Sequence, residues 1–210
     1  MKLFRIFVKL PWAIGRHIFT LLYLYQLFLW QIGGKKPPYP QLLKAKTLLQ
    51  TAKKYHLKVF IETGTYLGYT VQMTRSRFDK VYTIELDKEL AKRAKRIFAH
   101  NKRVTVIQGD SGKELKKILH KTKKPALFWL DAHYSGGVTS KGGKETPIVE
   151  ELKVIAKHKI KSHVILVDDA RHFTGGAGYP NLAELKTFVR KNFANKRFLV
   201  KNDIIEIFPK

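Results

Sequence analysis

Val59-Phe60-Ile61-Glu62-Thr63-Gly64-Thr65-Tyr66-Leu67-Gly68 is a short apolar run that stops on a carboxylate and breaks at once into a turn. Such a run suits a buried strand, and the glycines suit a tight turn from strand to helix. The same design recurs downstream. Val81-Tyr82-Thr83-Ile84 stops on Glu85, and Val104-Thr105-Val106-Ile107 reaches Asp110 after Gln108-Gly109. Leu127-Phe128-Trp129-Leu130 stops on Asp131, and Val164-Ile165-Leu166-Val167 stops on Asp168-Asp169. Helical patterns separate the runs, and this alternation predicts an α/β domain, a doubly wound and mostly parallel sheet with helices on both faces. After an expected helix near 182–192, Phe198-Leu199-Val200 and Ile204-Ile205-Glu206-Ile207-Phe208 flank Asn202-Asp203, which reads as an antiparallel C-terminal hairpin closing the sheet's edge.

Upstream of the first run, residues 41–56 have the apolar spacing of a short amphipathic helix, and residues 33–40, rich in Gly and Pro, read as a linker. The expected division is therefore a segment 1–36 and one domain over 37–210, a length that supports a single core. The segment differs in kind. Lys2, Arg5, Lys9 and Arg16 sit at near-helical spacing among apolar residues, and residues 18–32 are nearly all apolar. That run is shorter than the roughly 20 residues of a spanning helix, and Trp12, Tyr23, Tyr25 and Trp30 are aromatics favoured at a membrane interface. A membrane-associating helix, interfacial or a short tilted anchor, at the cytoplasmic face is the expectation. The competing reading is a helix that packs its apolar face on the domain or a partner chain. No cysteine is present, which excludes disulfides and thiolate chemistry.

The chain carries 41 Lys+Arg against 16 Asp+Glu, a net +25, and the six bases of residues 1–36 leave +19 for the rest. Anionic partners are favoured: nucleic acid, anionic lipid or a phosphorylated substrate. Against that background, six of the 16 acids stand at the ends of five expected strands. In an open α/β sheet a ligand sits outside the carboxyl ends of the strands, so Glu62, Glu85, Asp110, Asp131, Asp168 and Asp169 should rim one crevice. Each alone could simply cap a helix. Phosphates are met by backbone N–H groups and lysine, and Glu62 would repel a pyrophosphate. The loop also lacks the G-x-G-x-x-G spacing and the Gly-Lys-Ser/Thr of a P-loop. A ligand with an ammonium group, a ribose diol and an adenine amine suits the acids, and S-adenosylmethionine (SAM) carries all three.

Over residues 41–210 the sequence resembles the class I SAM-dependent methyltransferases, which are Rossmann-like. Glu62-x-Gly64-x-Tyr66-x-Gly68 keeps the first motif's acid and two glycines, with Tyr66 where a middle glycine is usual. The resemblance implies a cofactor loop of Glu62, Thr63, Gly64, Thr65 and Gly68, with Glu62 and Gly64 beside the methionine part. Glu85, 23 residues after Glu62, would take the ribose hydroxyls, and Asp110 with Ser111 would border the adenine.

Asp131 and Asp168-Asp169 further resemble the three acids of the metal-dependent sugar O-methyltransferases of the macrocin and novobiocin type. The resemblance implies a metal held by Asp131, Asp168 and Asp169, and an all-oxygen set favours Mg²⁺. Catalytic base candidates are Asp131 and His133. Residues 133–144 make a longer, glycine- and lysine-bearing loop than is usual there, read as a lid or an anionic-substrate loop. His172 is a further candidate ligand or base, though a lone histidine near a strand end is more often structural. The reading that follows is methyl transfer to a hydroxyl of a sugar or lipid-linked glycan at an anionic membrane surface. RNA methylation, suggested by the charge, and a non-catalytic membrane-bound scaffold are the alternatives. Asp131-Ala132-His133-Tyr134 does not match the Asp/Asn-Pro-Pro-Tyr/Phe of many base N-methylating enzymes.

Overall fold

The computed structural model describes residues 12–131, 146–176 and 178–210, with side chains from residue 20 onward. Its centre is β4 (Ala126–Leu130), whose five residues are all buried. Alternate side chains of a strand point to opposite faces. Leu127 and Trp129 accordingly pack with Leu48 and Ala52 of α2 (Gln41–Lys54), Val71 of α3 (Tyr69–Thr74) and Ala94 and Phe98 of α4 (Lys88–Phe98). Phe128 and Leu130 pack on the other side, with α5 (Ser111–Lys121), α6 (Ile148–Ala156) and α7 (Leu182–Asn192). The sheet is doubly wound, as the alternating runs predict.

Seven strands make one sheet, in the order β3-β2-β1-β4-β5-β7-β6. β1 (Val59–Thr63), β2 (Lys80–Glu85), β3 (Val104–Gln108), β4 and β5 (Val164–Val167) are parallel. β7 (Ile204–Pro209) runs antiparallel between β5 and β6 (Lys196–Lys201). Asn202 and Asp203, with φ of 53° and 60°, form the turn between them, both in the left-handed conformation of the tight hairpins that match strand twist. The edge strand β6 carries Lys196, Arg197 and Lys201, charge that discourages edge-to-edge pairing. The strand order reverses between β1 and β4, the place at which open α/β sheets take their ligands. Glu62 near the end of β1 and Asp131 just past β4 flank it.

The N-terminal segment forms α1 (Trp12–Ile32). From residue 20 onward, Tyr23, Leu27 and Trp30 are its half-buried side chains, spaced as one helical stripe. Tyr23 meets Tyr69 edge-on at 5.5 Å, and Trp30 meets Tyr39 at 5.6 Å across the linker. The rest of the apolar surface faces outward, including Leu21 at 67%, Tyr25 at 60%, Phe28 at 55% and Ile32 at 67% exposed. Among the described residues no helix is long and apolar enough to cross a membrane.

Candidate functional site

The six acids all stand at the carboxyl ends of the parallel strands, yet they differ in depth. Glu62, Glu85 and Asp168 are buried, Asp131 and Asp169 half-buried, and Asp110 exposed. Each depth comes with its own compensation, as buried polar groups require. Glu62 accepts from the Thr83 hydroxyl of the neighbouring strand at 2.5 Å, and Thr83 also lies 2.5 Å from the Thr65 hydroxyl. Burial pushes the Glu62 carboxyl up to about 8, and Thr83 offsets this only in part. At the open end of the series, Asp110 takes the Gly112 N–H at 2.9 Å and caps α5. That capping role coexists with a position beside Ser111 on the rim.

The loop after β1 is a left-handed construction. Gly64 has φ 85° and donates to the Ile84 carbonyl, and Gly68 has φ 80° and starts α3. A Cβ on Gly64 would lie 3.3 Å from the Asp131 Cβ, so the loop is in close contact with the end of β4. Tyr66, where a glycine is usual, keeps a glycine-like backbone at φ 49°. Its N–H donates to Glu85 Oε2 at 2.7 Å, while Glu85 Oε1 takes the Asp87 N–H at 3.0 Å. The strand-two acid thus holds the unusual residue of the loop in its strained conformation, and burial raises the Glu85 pKa.

Asp131, Asp168 and Asp169 come together as the resemblance implies, each offering an oxygen within 4.8 Å of the others'. A cation already lies among them. Lys44 of α2 donates to Asp168 Oδ2 at 2.7 Å and to Asp169 Oδ1 at 3.1 Å. Burial alone would lower its pKa, but the two aspartates outweigh burial and hold the ammonium above its ordinary value. Arg171 joins Asp169 at 2.8 Å and also pairs with Asp203 in the hairpin turn. Burial would raise Asp169, but Lys44 and Arg171 together pull it below the ordinary carboxylate range. Asp168, deeper and beside two other acids, is pushed the opposite way by burial.

Three residues that matter here are absent from the sequence-based set. Lys44 lies one and two turns from Leu48 and Ala52, on the buried stripe of α2; a lysine in register with an apolar stripe was the available signal. Arg171 follows Asp169 by two residues and carried no periodic signal. Glu151 is fully buried on α6, and both carboxylate oxygens lack a hydrogen-bond partner among the described residues, as does the buried Thr63 hydroxyl. Burial pushes the Glu151 carboxyl up to about 7; Ser111 and Thr63 lower it in part, while Asp131 and Asp110 add to the rise. It therefore lies against the same corner as the residues assigned to the cofactor. His172 stands outside the acid trio, its ring tilted on Tyr179 at 6.0 Å. His133 and the loop 133–144 lie outside the described residues.

No protein-family profile matches the chain, and no curated protein matches it. Solved structures do. The chain is similar to the methyltransferase PaMTH1 of Podospora anserina bound to S-adenosylhomocysteine (SAH), at 17% identity over 96% of this chain and 89% of that one, with TM-score 0.59. It is similar to the O-methyltransferase TomG of Streptomyces achromogenes in complex with SAM, at 14% identity over 90% of each chain, TM-score 0.59. An O-methyltransferase of Bacillus cereus in complex with SAH matches at 16% identity over 89% of this chain and 90% of that one, TM-score 0.55. At these identities the likeness is one of fold. The chain has the fold of the SAM-dependent methyltransferases.

Two consequences can be measured. Tyr66→Gly should leave thermal stability unchanged or raise it, because glycine meets φ 49° without the roughly 1 kcal/mol that other residues pay there. Tyr66→Val should be clearly less stable than Tyr66→Gly, since a β-branched residue fits that region worst; equal melting temperatures would refute the strain. For Glu151, folded chains bind more protons than unfolded ones between the ordinary 4.5 and about 7, so its contribution to stability falls as pH rises through that window. Urea unfolding of Glu151→Gln should show an advantage over the parent that grows from pH 5 to pH 8, reaching up to about 3 kcal/mol. A pH-independent difference would contradict it.

Proposed function

We propose that the chain transfers the methyl group of SAM to a hydroxyl of a sugar or lipid-linked glycan, working at an anionic membrane surface with a divalent ion. The observation that supports it most directly is the contact of Gly64 with Asp131, which makes the cofactor loop and the acid trio neighbours. An acceptor held at the acids would lie beside a methyl donor held at the loop. Methyl transfer is an in-line displacement, so such positioning contributes much of the rate.

The trio fits a hard divalent cation: its donors are all carboxylate oxygens, they lie within 4.8 Å of one another, and a cationic ammonium bridges two of them. Asp131, Asp168 and Asp169 would hold Mg²⁺. When bound, it would favour the ionised form of an acceptor hydroxyl. The chain's own residues do the rest. Asp131, the trio member in contact with the Gly64 loop, is the residue to take the acceptor proton, with His133 as the other candidate. Glu85 presents a carboxylate already oriented by two backbone N–H groups, suited to a ribose diol. Asp110 and Ser111 stand at the start of α5 for the adenine.

The membrane part rests on α1. A narrow stripe of Tyr23, Leu27 and Trp30 holds it to the domain, and a broad apolar face with flanking bases stays open to an anionic lipid surface. Net charge of +25 also suits RNA, and the acceptor experiment separates the two.

Calorimetry on the full chain should show SAM binding that weakens at least tenfold in Glu85→Ala, a loss of about 1.4 kcal/mol; unchanged affinity would remove Glu85 from the cofactor site. With methyl-labelled SAM, label is expected in the lipid-linked glycan fraction of a lysate, and label in RNA instead would overturn the acceptor assignment. The intact chain should float with anionic liposomes, whereas the double variant Leu24→Asp/Phe28→Asp should remain with the protein fraction. Equal flotation of both would refute the role of α1.

A further inference from the structure

Lys44 comes from outside the strand-end loops that build the rest of the site. It is one of two buried Lys or Arg residues among those described, with Arg93, in a chain that has 41 Lys+Arg. Burying an ammonium is costly unless charge and hydrogen bonds compensate it, and here both compensating oxygens belong to the acid trio. Its position is fixed from several sides. Leu48 and Ala52, farther along α2, are wholly buried against the sheet. Gln41, in the first turn of α2, donates to the Thr70 hydroxyl of α3 at 2.8 Å. With its base fixed, the side chain carries its ammonium to Asp168 and Asp169.

That end point is the place a metal would need. Divalent ions bind carboxylate oxygens at about 2.0 to 2.6 Å, and an ammonium bonds the same atoms at about 2.8 Å. An ion seated between Asp168 Oδ2 and Asp169 Oδ1 would lie against the Lys44 Nζ and be repelled by it, so the two cations compete for these oxygens. Arg171 reaches the same Asp169 Oδ1 at 2.8 Å and also pairs with Asp203, whereas Lys44 bridges Asp168 and Asp169. We propose that Lys44 is the resident cation of the acid trio, and that a divalent ion enters by exchanging with it, so that Lys44 sets the affinity for metal. The inference rests on the reading of the trio as a metal site. It makes the ammonium an internal competitor that keeps the acids neutralised and in register whenever metal is absent.

The test compares the full-length chain with Lys44→Gln, which keeps a donor but removes the charge. Binding of Mn²⁺ is followed by the loss of its free electron paramagnetic resonance signal, and thermal melting is recorded with and without Mn²⁺. Lys44→Gln should bind Mn²⁺ at least tenfold more tightly than the parent. It should melt lower than the parent in chelator and recover with Mn²⁺, while the parent shifts little. If the parent binds Mn²⁺ and Lys44→Gln binds no tighter, the exchange is overturned and the metal site stands. If neither binds, the metal reading falls and the exchange with it. Should Lys44→Gln fail to fold in chelator, Lys44→Arg supplies the second arm: it retains the charge and should bind Mn²⁺ no more tightly than the parent. A gain of affinity in Lys44→Arg would overturn the proposal.

Discussion

Crowding carboxylates at the point where strand order reverses is electrostatically expensive, and much of this structure answers that expense. Charges a few ångströms apart and partly removed from water repel strongly unless each is matched. The chain uses different matches at the strand ends: a neighbouring hydroxyl for Glu62, two backbone N–H groups for Glu85, the start of a helix for Asp110, and the Lys44 ammonium with the Arg171 guanidinium for Asp168 and Asp169. Glu151 is the exception, a fully buried carboxyl whose burial Ser111 and Thr63 offset only in part, and its raised pKa is the physical expression of that.

The same constraint explains why helices that lie outside the alternating strand-helix pattern belong to the site. α2 precedes the first strand, yet it supplies the ammonium that the strand ends lack. α1 in turn leans on Tyr69, in the helix that follows the loop of Gly64 and Gly68. The segment that sequence composition marks as separate is therefore joined to the domain through Tyr69 and Tyr39.

Much of the architecture was legible in the sequence because periodicity reports burial. The runs ending at Glu62, Glu85, Asp131 and Asp168 are strands, the Asn202-Asp203 pair is a hairpin turn, and the trio of acids converges. Tyr66 looked like a defect in a glycine motif; its backbone keeps the glycine conformation, which residue identity alone does not reveal. Depth was also illegible. Glu62 and Asp110 read alike in one dimension, but one lies beneath the loop and the other in solvent. Lys44 and Arg171 act across 124 and 32 residues of chain, to Asp168 and Asp203, and single-sequence patterns carry no signal at such separations.

The antiparallel strand β7 is inserted between β5 and β6, and the turn before it carries Asp203, the anchor of Arg171. During synthesis this piece leaves the ribosome after every other strand of the sheet. A nascent chain can pair its five parallel strands early, but the guanidinium beside Asp169 has no anchor until the last hairpin is made. The order of translation thus supplies Asp203 last, so Arg171 gains its second carboxylate only with the hairpin that closes the sheet.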